Sequence, residues 1–213
     1  MILRPFLAIA LTLAVVGCGG HRSAGLHDAP QAMNSETVLT PKGGTPIKDS
    51  AEIARRTQAA GILLRHWDQR LPAELKGKDY AAEDKERILG LYREDITKLK
   101  SERGYVAEDV IALRPENKQL DEIMKKFNRC HTHSDDEVRA ILDGHGVFTI
   151  FPATGDSFDL RVGAGDVLII PAGTRHLFNL AEDRSISAIR IYKDKAGWAA
   201  VYCDDVKDAA VHP

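Results

Sequence analysis

The seven residues with the greatest capacity for chemistry in this chain are His131, Thr132, His133, Ser134, Asp135, Asp136 and Glu137. In an extended strand alternate side chains share a face, so His131 and His133 can reach one ion. The intervening Ser134-Asp135-Asp136 is turn material that can bring Glu137 back to the same point. Arg139 then shares the face of Glu137. A second stretch, residues 165–176, holds an apolar strand at 167–170, a turn at Pro171-Ala172-Gly173, and His176 opening the next strand. Three imidazoles and one carboxylate suit Fe(II), Ni(II), Mn(II) or Zn(II), and an octahedral ion held by them keeps two positions open for reactants. An isolated His-x-His is more often a surface or structural pair; the joint spacing of both stretches is what points to a metal.

Elements able to position such a set follow from the texture of the chain. From Asn128 onward it consists of short β-rich runs at 130–132, 138–142, 146–151, 158–162, 167–170, 176–180 and 186–192, separated by Gly, Asp and Pro turns. That pattern predicts a mainly β fold with a closed or sandwiched antiparallel sheet. Upstream, Asp49 followed by Glu52 marks a helix start, and residues 61–67 read as a strand. Residues 82–102 read as one helix with an apolar stripe of Ile88, Leu91, Tyr92, Ile96 and Leu99, closed by Gly104. A strand at 106–113 and a short amphipathic helix at 120–127 follow. The histidines outside the two stretches, His66, His145 and His212, read as structural or surface residues.

The N-terminus has a different character. Arg4, an apolar run at 6–16 and then Gly17-Cys18 have the form of an export signal over residues 1–18. The run is shorter than the ~20 apolar residues of a membrane-spanning helix. Its end, from Leu13 to Cys18, resembles the lipobox of bacterial lipoproteins, which implies lipidation of Cys18 and anchoring in the bacterial cell envelope. Residues 19–48, rich in Gly, Ser, Pro, Thr and Asn, read as a flexible tether in which His21 and His27 are solvated spacers. Residues 49–213 are then the folded domain. The 29 basic and 31 acidic residues give a formal net charge of -2, which offers no charge excess for nucleic acid. Cys130 and Cys203 read as two separate buried thiols, with one bridge between them possible in an oxidising periplasm. Oligomeric state is left open.

The spacing His131-x-His133, Glu137, Gly144, then Gly165-x5-Pro171-x-Gly173-x2-His176 matches the two motifs of the cupin superfamily, which implies a double-stranded β-helix, or jelly-roll, barrel with several N-terminal helices. The resemblance sharpens at Leu91-Tyr92-Arg93-Glu94-Asp95-Ile96, Arg103-Gly104-Tyr105, residues 109–113, 127–146, 171–178 and 188–192, and Gly197-Trp198-Ala199. From about residue 61 to 203 the chain resembles acireductone dioxygenase. That resemblance implies cleavage of a methylthio enediol of methionine salvage by dioxygen. With Fe(II) the products are a 2-keto acid and formate; with Ni(II) they are methylthiopropionate, formate and carbon monoxide. It makes His131, His133, Glu137 and His176 the ligands of one ion per chain. Arg139 and Arg190 hold the substrate's negative charge, and Phe127, Phe178 and Trp198 wall its pocket. From spacing alone, each arginine is as well explained by an ion pair at the barrel end and each aromatic by the core.

Two positions depart from the family pattern. Cys130 stands where Glu usually precedes the first histidine, and Thr149 stands where an acidic residue is common. Export also separates this chain from a cytoplasmic pathway. Two further readings therefore stand beside the first: another cupin dioxygenase acting on an envelope metabolite, and a non-catalytic lipoprotein that binds a metal or small molecule.

Overall fold

The computed structural model describes residues 34–204. Two antiparallel sheets enclose one interior. The first joins β1 (Val38–Pro41), β7 (Phe158–Val162), β6 (Gly146–Phe151), β9 (Arg175–Leu180), β4 (His131–Thr132) and β11 (Val201–Tyr202) in that order. The second runs β2 (Leu63–His66), β8 (Asp166–Ile170), β5 (Glu137–Gly144), β10 (Ile186–Tyr192) and β3 (Ala107–Leu113). Helices α1 (Ser50–Ala59), α2 (Ala82–Leu91), α3 (Arg93–Arg103) and α4 (Leu120–Phe127) all precede β4. This is the expected mainly β jelly-roll with its helices on the N-terminal side.

The second sheet is covered on both faces, and strand alternation divides its side chains between two cores. Val138, Ala140 and Leu142 of β5, Val167 and Ile169 of β8, and Ile189 and Ile191 of β10 pack with Ile88, Tyr92, Ile96 and Leu99 of the helical layer. The intervening Ile141, Leu168, Ile170 and Ala188 face the barrel interior with Leu39, Phe148, Ile150 and Leu160 of the first sheet. Coverage on both sides is why residues 167–170 are apolar without alternation. Phe148 is 1% exposed; burial of a side chain of that size contributes roughly 1.5–3 kcal/mol relative to leaving it in water. The same alternation puts Glu137, Arg139 and Arg190 on the inward face.

Three expectations need correction. The single helix expected over 82–102 is broken at Tyr92 (φ -105°, ψ 11°), whose hydroxyl accepts from Arg70 N at 2.8 Å. Leu91, expected in the buried stripe, is 37% exposed. The tether expected through residue 48 ends earlier. Leu39 pairs with Leu160 in the sheet and is wholly buried, and the Thr37 hydroxyl donates to Asp166. Four residues with a Pro at one end carry too little periodicity to announce an edge strand, yet β7 supplies the ladder that captures them. Residues 1–18 and 19–33, with Cys18, His21 and His27, lie outside the described residues, as does His212. Among the described residues no helix is long and apolar enough to cross a membrane.

Local sequence explains the connections. The Asp49 carboxylate accepts from Glu52 N at 2.8 Å and so caps α1 as expected. At the end of β5, Gly144 has φ 73°, and a Cβ there would sit 2.0 Å from the Ser185 carbonyl oxygen, so only glycine fits. Next to it His145 lies between the carboxylates of Asp183 (2.7 Å) and Glu36 (3.0 Å), in line with its structural reading. Thr149 donates to Asp159 at 2.6 Å across the β6 and β7 ladder, so its departure from the family pattern makes a cross-strand hydrogen bond.

Candidate metal centre

The structure brings His131, His133, Glu137 and His176 together: one donor atom from each lies within 4.8 Å of all the others, and all four residues are buried. His131 is opposite His176 in the β4 and β9 ladder. His133 follows two residues on, and Glu137 opens β5 after the turn. Glu137 Oε2 lies 2.8 Å from His176 Nε2 and 3.2 Å from His133 Nε2.

The three rings share an orientation. His131 Nδ1 lies 2.7 Å from the Arg129 carbonyl, His176 Nδ1 2.9 Å from that of Thr174, and His133 Nδ1 3.4 Å from that of Ala199. A carbonyl can only accept, so each Nδ1 carries a proton, and each Nε2 is turned toward the others. Burial, together with the neighbouring His176, lowers the His131 pKa to about 4, which leaves a neutral donor at neutral pH. Burial also works against a charged His176, but the hydrogen bond and charge of Glu137 outweigh it and raise its pKa. Burial opposes ionisation of Glu137 as well, yet Arg139 and the hydrogen bonds from His133 and His176 hold its carboxyl well below the ordinary range. Once the Nε2 protons that bond Glu137 are released, three imidazoles and an ionised carboxylate present converging lone pairs, the donor set of a divalent transition ion, so the residues present fit one.

The turn between His133 and Glu137 does more than its sequence announced. Asp135 Oδ2 accepts from Lys193 N at 2.7 Å and Asp194 N at 3.1 Å. Asp136 accepts from Tyr105 Oη at 2.8 Å and Ala172 N at 3.0 Å. The two aspartates thus tie the turn to the loop carrying Trp198 and to the Pro171-Ala172-Gly173 turn. Read as turn formers, they gave no sign of these partners; their only sequence signal was their place inside the seven-residue string.

A cavity of about 230 Å³, joined to the donors through Arg139 but lined by none of them, is walled by Phe127, Phe148, Phe178 and Ile123, with Arg139 and Arg190 as its charged residues. Arg139 Nε donates to Glu137 Oε1 at 2.8 Å. Arg190 grips Asp109 through two hydrogen bonds of 2.7 and 2.5 Å; it is an ion pair and a cavity residue at once. Trp198 is not in that wall. It stacks on His133 with ring centres 6.2 Å apart. Arg139 and Arg190 lie 4.8 and 5.3 Å from its centroid, and its indole N–H donates to Asp136 O at 3.1 Å. Cys130 and Cys203, expected as separate thiols, form a disulfide with Cα atoms 5.4 Å apart. The pairing of β11 with β4 brings them together, which no local signal could announce.

Two antiparallel sheets closed around a buried three-histidine, one-carboxylate cluster define a metal-binding enzyme barrel of the cupin type. The model of the ARD/ARD' family matches residues 46–200, and the chain belongs to that acireductone dioxygenase family of metal-dependent dioxygenases. It is 39% identical over 166 residues to acireductone dioxygenase of Bacillus subtilis, covering 77% of this chain and 93% of that one. The Bacillus velezensis acireductone dioxygenase is 41% identical over 160 residues, covering 74% and 90%. Among solved structures, acireductone dioxygenase from Bacillus anthracis with cadmium ion in its active center superposes with a TM-score of 0.75 at 34% identity, over 80% of this chain and all of that one.

Proposed function

We propose that this chain cleaves an acireductone with dioxygen, using one Fe(II) or Ni(II) ion held by His131, His133, Glu137 and His176. The observation that carries the reading is the convergence of those donor atoms, within 4.8 Å of one another, with Arg139 linking Glu137 to a cavity that holds two arginines. When bound, the ion supplies a Lewis acid and a template for the enediol.

The protein's own groups do the rest. Arg139 and Arg190 face a substrate that carries negative charge as an enediolate, and Arg139 also fixes the Glu137 carboxylate. The apolar walls, Phe127, Phe148 and Phe178 among them, accept an alkylthio tail and exclude water, which strengthens every charge interaction within. Trp198 lies against His133 and both arginines and so holds the charged end of the cavity together. Anaerobic loading with Fe(II) and Ni(II) separately, then product analysis, tests the reading. A 2-keto acid with formate from iron, and carbon monoxide from nickel alone, are expected; metal binding without oxygen uptake rejects it.

The same reading places the enzyme in the bacterial envelope, held by lipid on Cys18. The basic, apolar, small-residue order of residues 1–18 supports this, and the Cys130–Cys203 bond suits an oxidising compartment. Cys18→Ser should move the protein from the membrane to the soluble fraction and abolish fatty-acid labelling; unchanged partitioning rejects the anchor. Export also favours an enediol met outside the cytoplasm, so the oxygen-uptake assay should include envelope-accessible enediols.

A further inference from the structure

The rings of His131 and His176 are aimed by carbonyls two residues earlier in the chain, at Arg129 and Thr174, just ahead of their strands. His133 is aimed by Ala199, 66 positions away, over 3.4 Å, the longest of the three contacts. Ala199 belongs to a C-terminal segment laid along β4 and the turn after it. Gly197 O accepts from Ser134 N and Asp135 N at 3.1 and 3.3 Å, Trp198 stacks on His133, and Tyr202 is opposite His131 in the ladder. Arg129 lies 4.1 Å over the Tyr202 ring.

Trp198 is also held by Asp136 O, Arg139 and Arg190, but past it the segment has little else to hold it. β11 is a two-residue strand at the sheet edge, with Val201 63% and Tyr202 36% exposed. An edge strand that buries so little apolar surface opens locally at small cost. Beyond it, Cys203 N donates to Cys130 O at 2.9 Å and the two sulfurs are bonded. Cys130 immediately precedes His131.

We propose that the Cys130–Cys203 disulfide is a positioning clamp for the metal centre, and that its redox state sets how tightly the ion is held. It rests for its metal arm on the function proposed above. A dithiol opens the clamp. One of its thiolates attacks the sulfur of the partly exposed Cys203, and Cys130 leaves as thiolate and is protonated. The second thiol then closes onto the first, releasing Cys203 as a thiol. The dithiol is oxidised by two electrons, the protein disulfide is reduced, and the dithiol's two protons end on the cysteines. With the bond open, the segment from Ala199 lifts, and His133 loses the carbonyl that aims it. Loss of such outer support typically weakens metal binding by 10–100-fold.

The test compares the oxidised full chain, the same protein after dithiol treatment and desalting under argon, and Cys203→Ser. Hydrogen exchange of the apo-proteins is read at Val201 and at residue 203, whose amides report the pairing of β11 with β4. Nickel loss is timed against a chelator after loading with Ni(II) alone. Loss of protection at those amides with the rest of both sheets unchanged, together with about tenfold faster nickel release, is expected. Equal protection in all three proteins overturns the clamp, as does equal nickel release. So does simultaneous loss of protection through both sheets, which makes the bond a general staple of the fold. If the oxidised protein takes up no nickel, the metal reading fails, and the exchange measurement still decides the clamp.

Discussion

Arg139 donates its Nε–H to Glu137 Oε1 across 2.8 Å, two residues along one strand, while the other Glu137 oxygen faces His176 at 2.8 Å. One carboxylate thus links the imidazole cluster to the charged end of the cavity. Arg139→Lys keeps the charge but loses the planar fork that meets both Glu137 and a bound anion. We expect kcat/KM for acireductone to fall by about 10²–10³-fold with the ion still bound. Oxygen uptake alongside metal content checks this; a change within about twofold of the native protein would remove Arg139 from the reaction.

Replacing Glu137 tests the opposite partner. Glu137→Gln leaves the partly buried guanidinium of Arg139 without its counter-charge, and breaking a fully buried pair from one side costs roughly 3–5 kcal/mol. Because the Arg139 side chain is 15% exposed, the lower end of about 3 kcal/mol is expected for the metal-free protein. Urea unfolding reads it. Metal analysis of the same variant should show occupancy well below one ion per chain.

Cavity shape depends on a glycine. A Cβ at Gly146 would lie 2.4 Å from Phe178 Cε2, 2.9 Å from its Cζ and 3.1 Å from Ile186 Cδ1. Gly146→Ala must therefore displace the Phe178 ring, an overpacking change of roughly 1–3 kcal/mol. A KM that rises with the length of the substrate's apolar tail is expected, with kcat less affected. Equal KM values along a homologous substrate series would show that Phe178 does not bound the tail.

Acid stability should carry the mark of Asp166. Burial pushes its carboxyl up to about 6, against the opposing hydrogen bonds from Gly163 N and the Thr37 hydroxyl. The folded protein therefore holds this proton more tightly than the unfolded chain, whose carboxyl keeps the ordinary value of 3.8. Its contribution to stability is complete below about pH 4 and is lost as pH rises toward about 6. Asp166→Asn has no charge to bury, so the gap between variant and native unfolding free energies should change by roughly 2–3 kcal/mol over that window. Denaturation at several pH values measures it; a constant gap would place the Asp166 pKa in the ordinary range.

Much of this was readable in advance, for identifiable reasons. His131, His133 and Glu137 are close in sequence, so strand parity and one turn bring them together, and His176 follows a turn whose residues name it. Strand β8 was visible as an apolar run because both its faces are covered. What could not be read depends on distant partners. Strand β1 exists because β7 offers it a ladder, the break at Tyr92 accompanies a hydrogen bond from Arg70, and the disulfide forms because β11 returns to β4. Asp135 and Asp136 have the composition of a turn, and only the packed loops show what they hold.

The atoms that aim the three imidazoles are peptide oxygens, of Arg129, Thr174 and Ala199. Every residue type, proline included, carries that oxygen. Point mutation at those three positions can therefore alter size, charge or polarity without deleting an acceptor. The aim of the rings is written into the path of the backbone, which leaves neighbouring side chains free to drift over evolution while the centre stays in place.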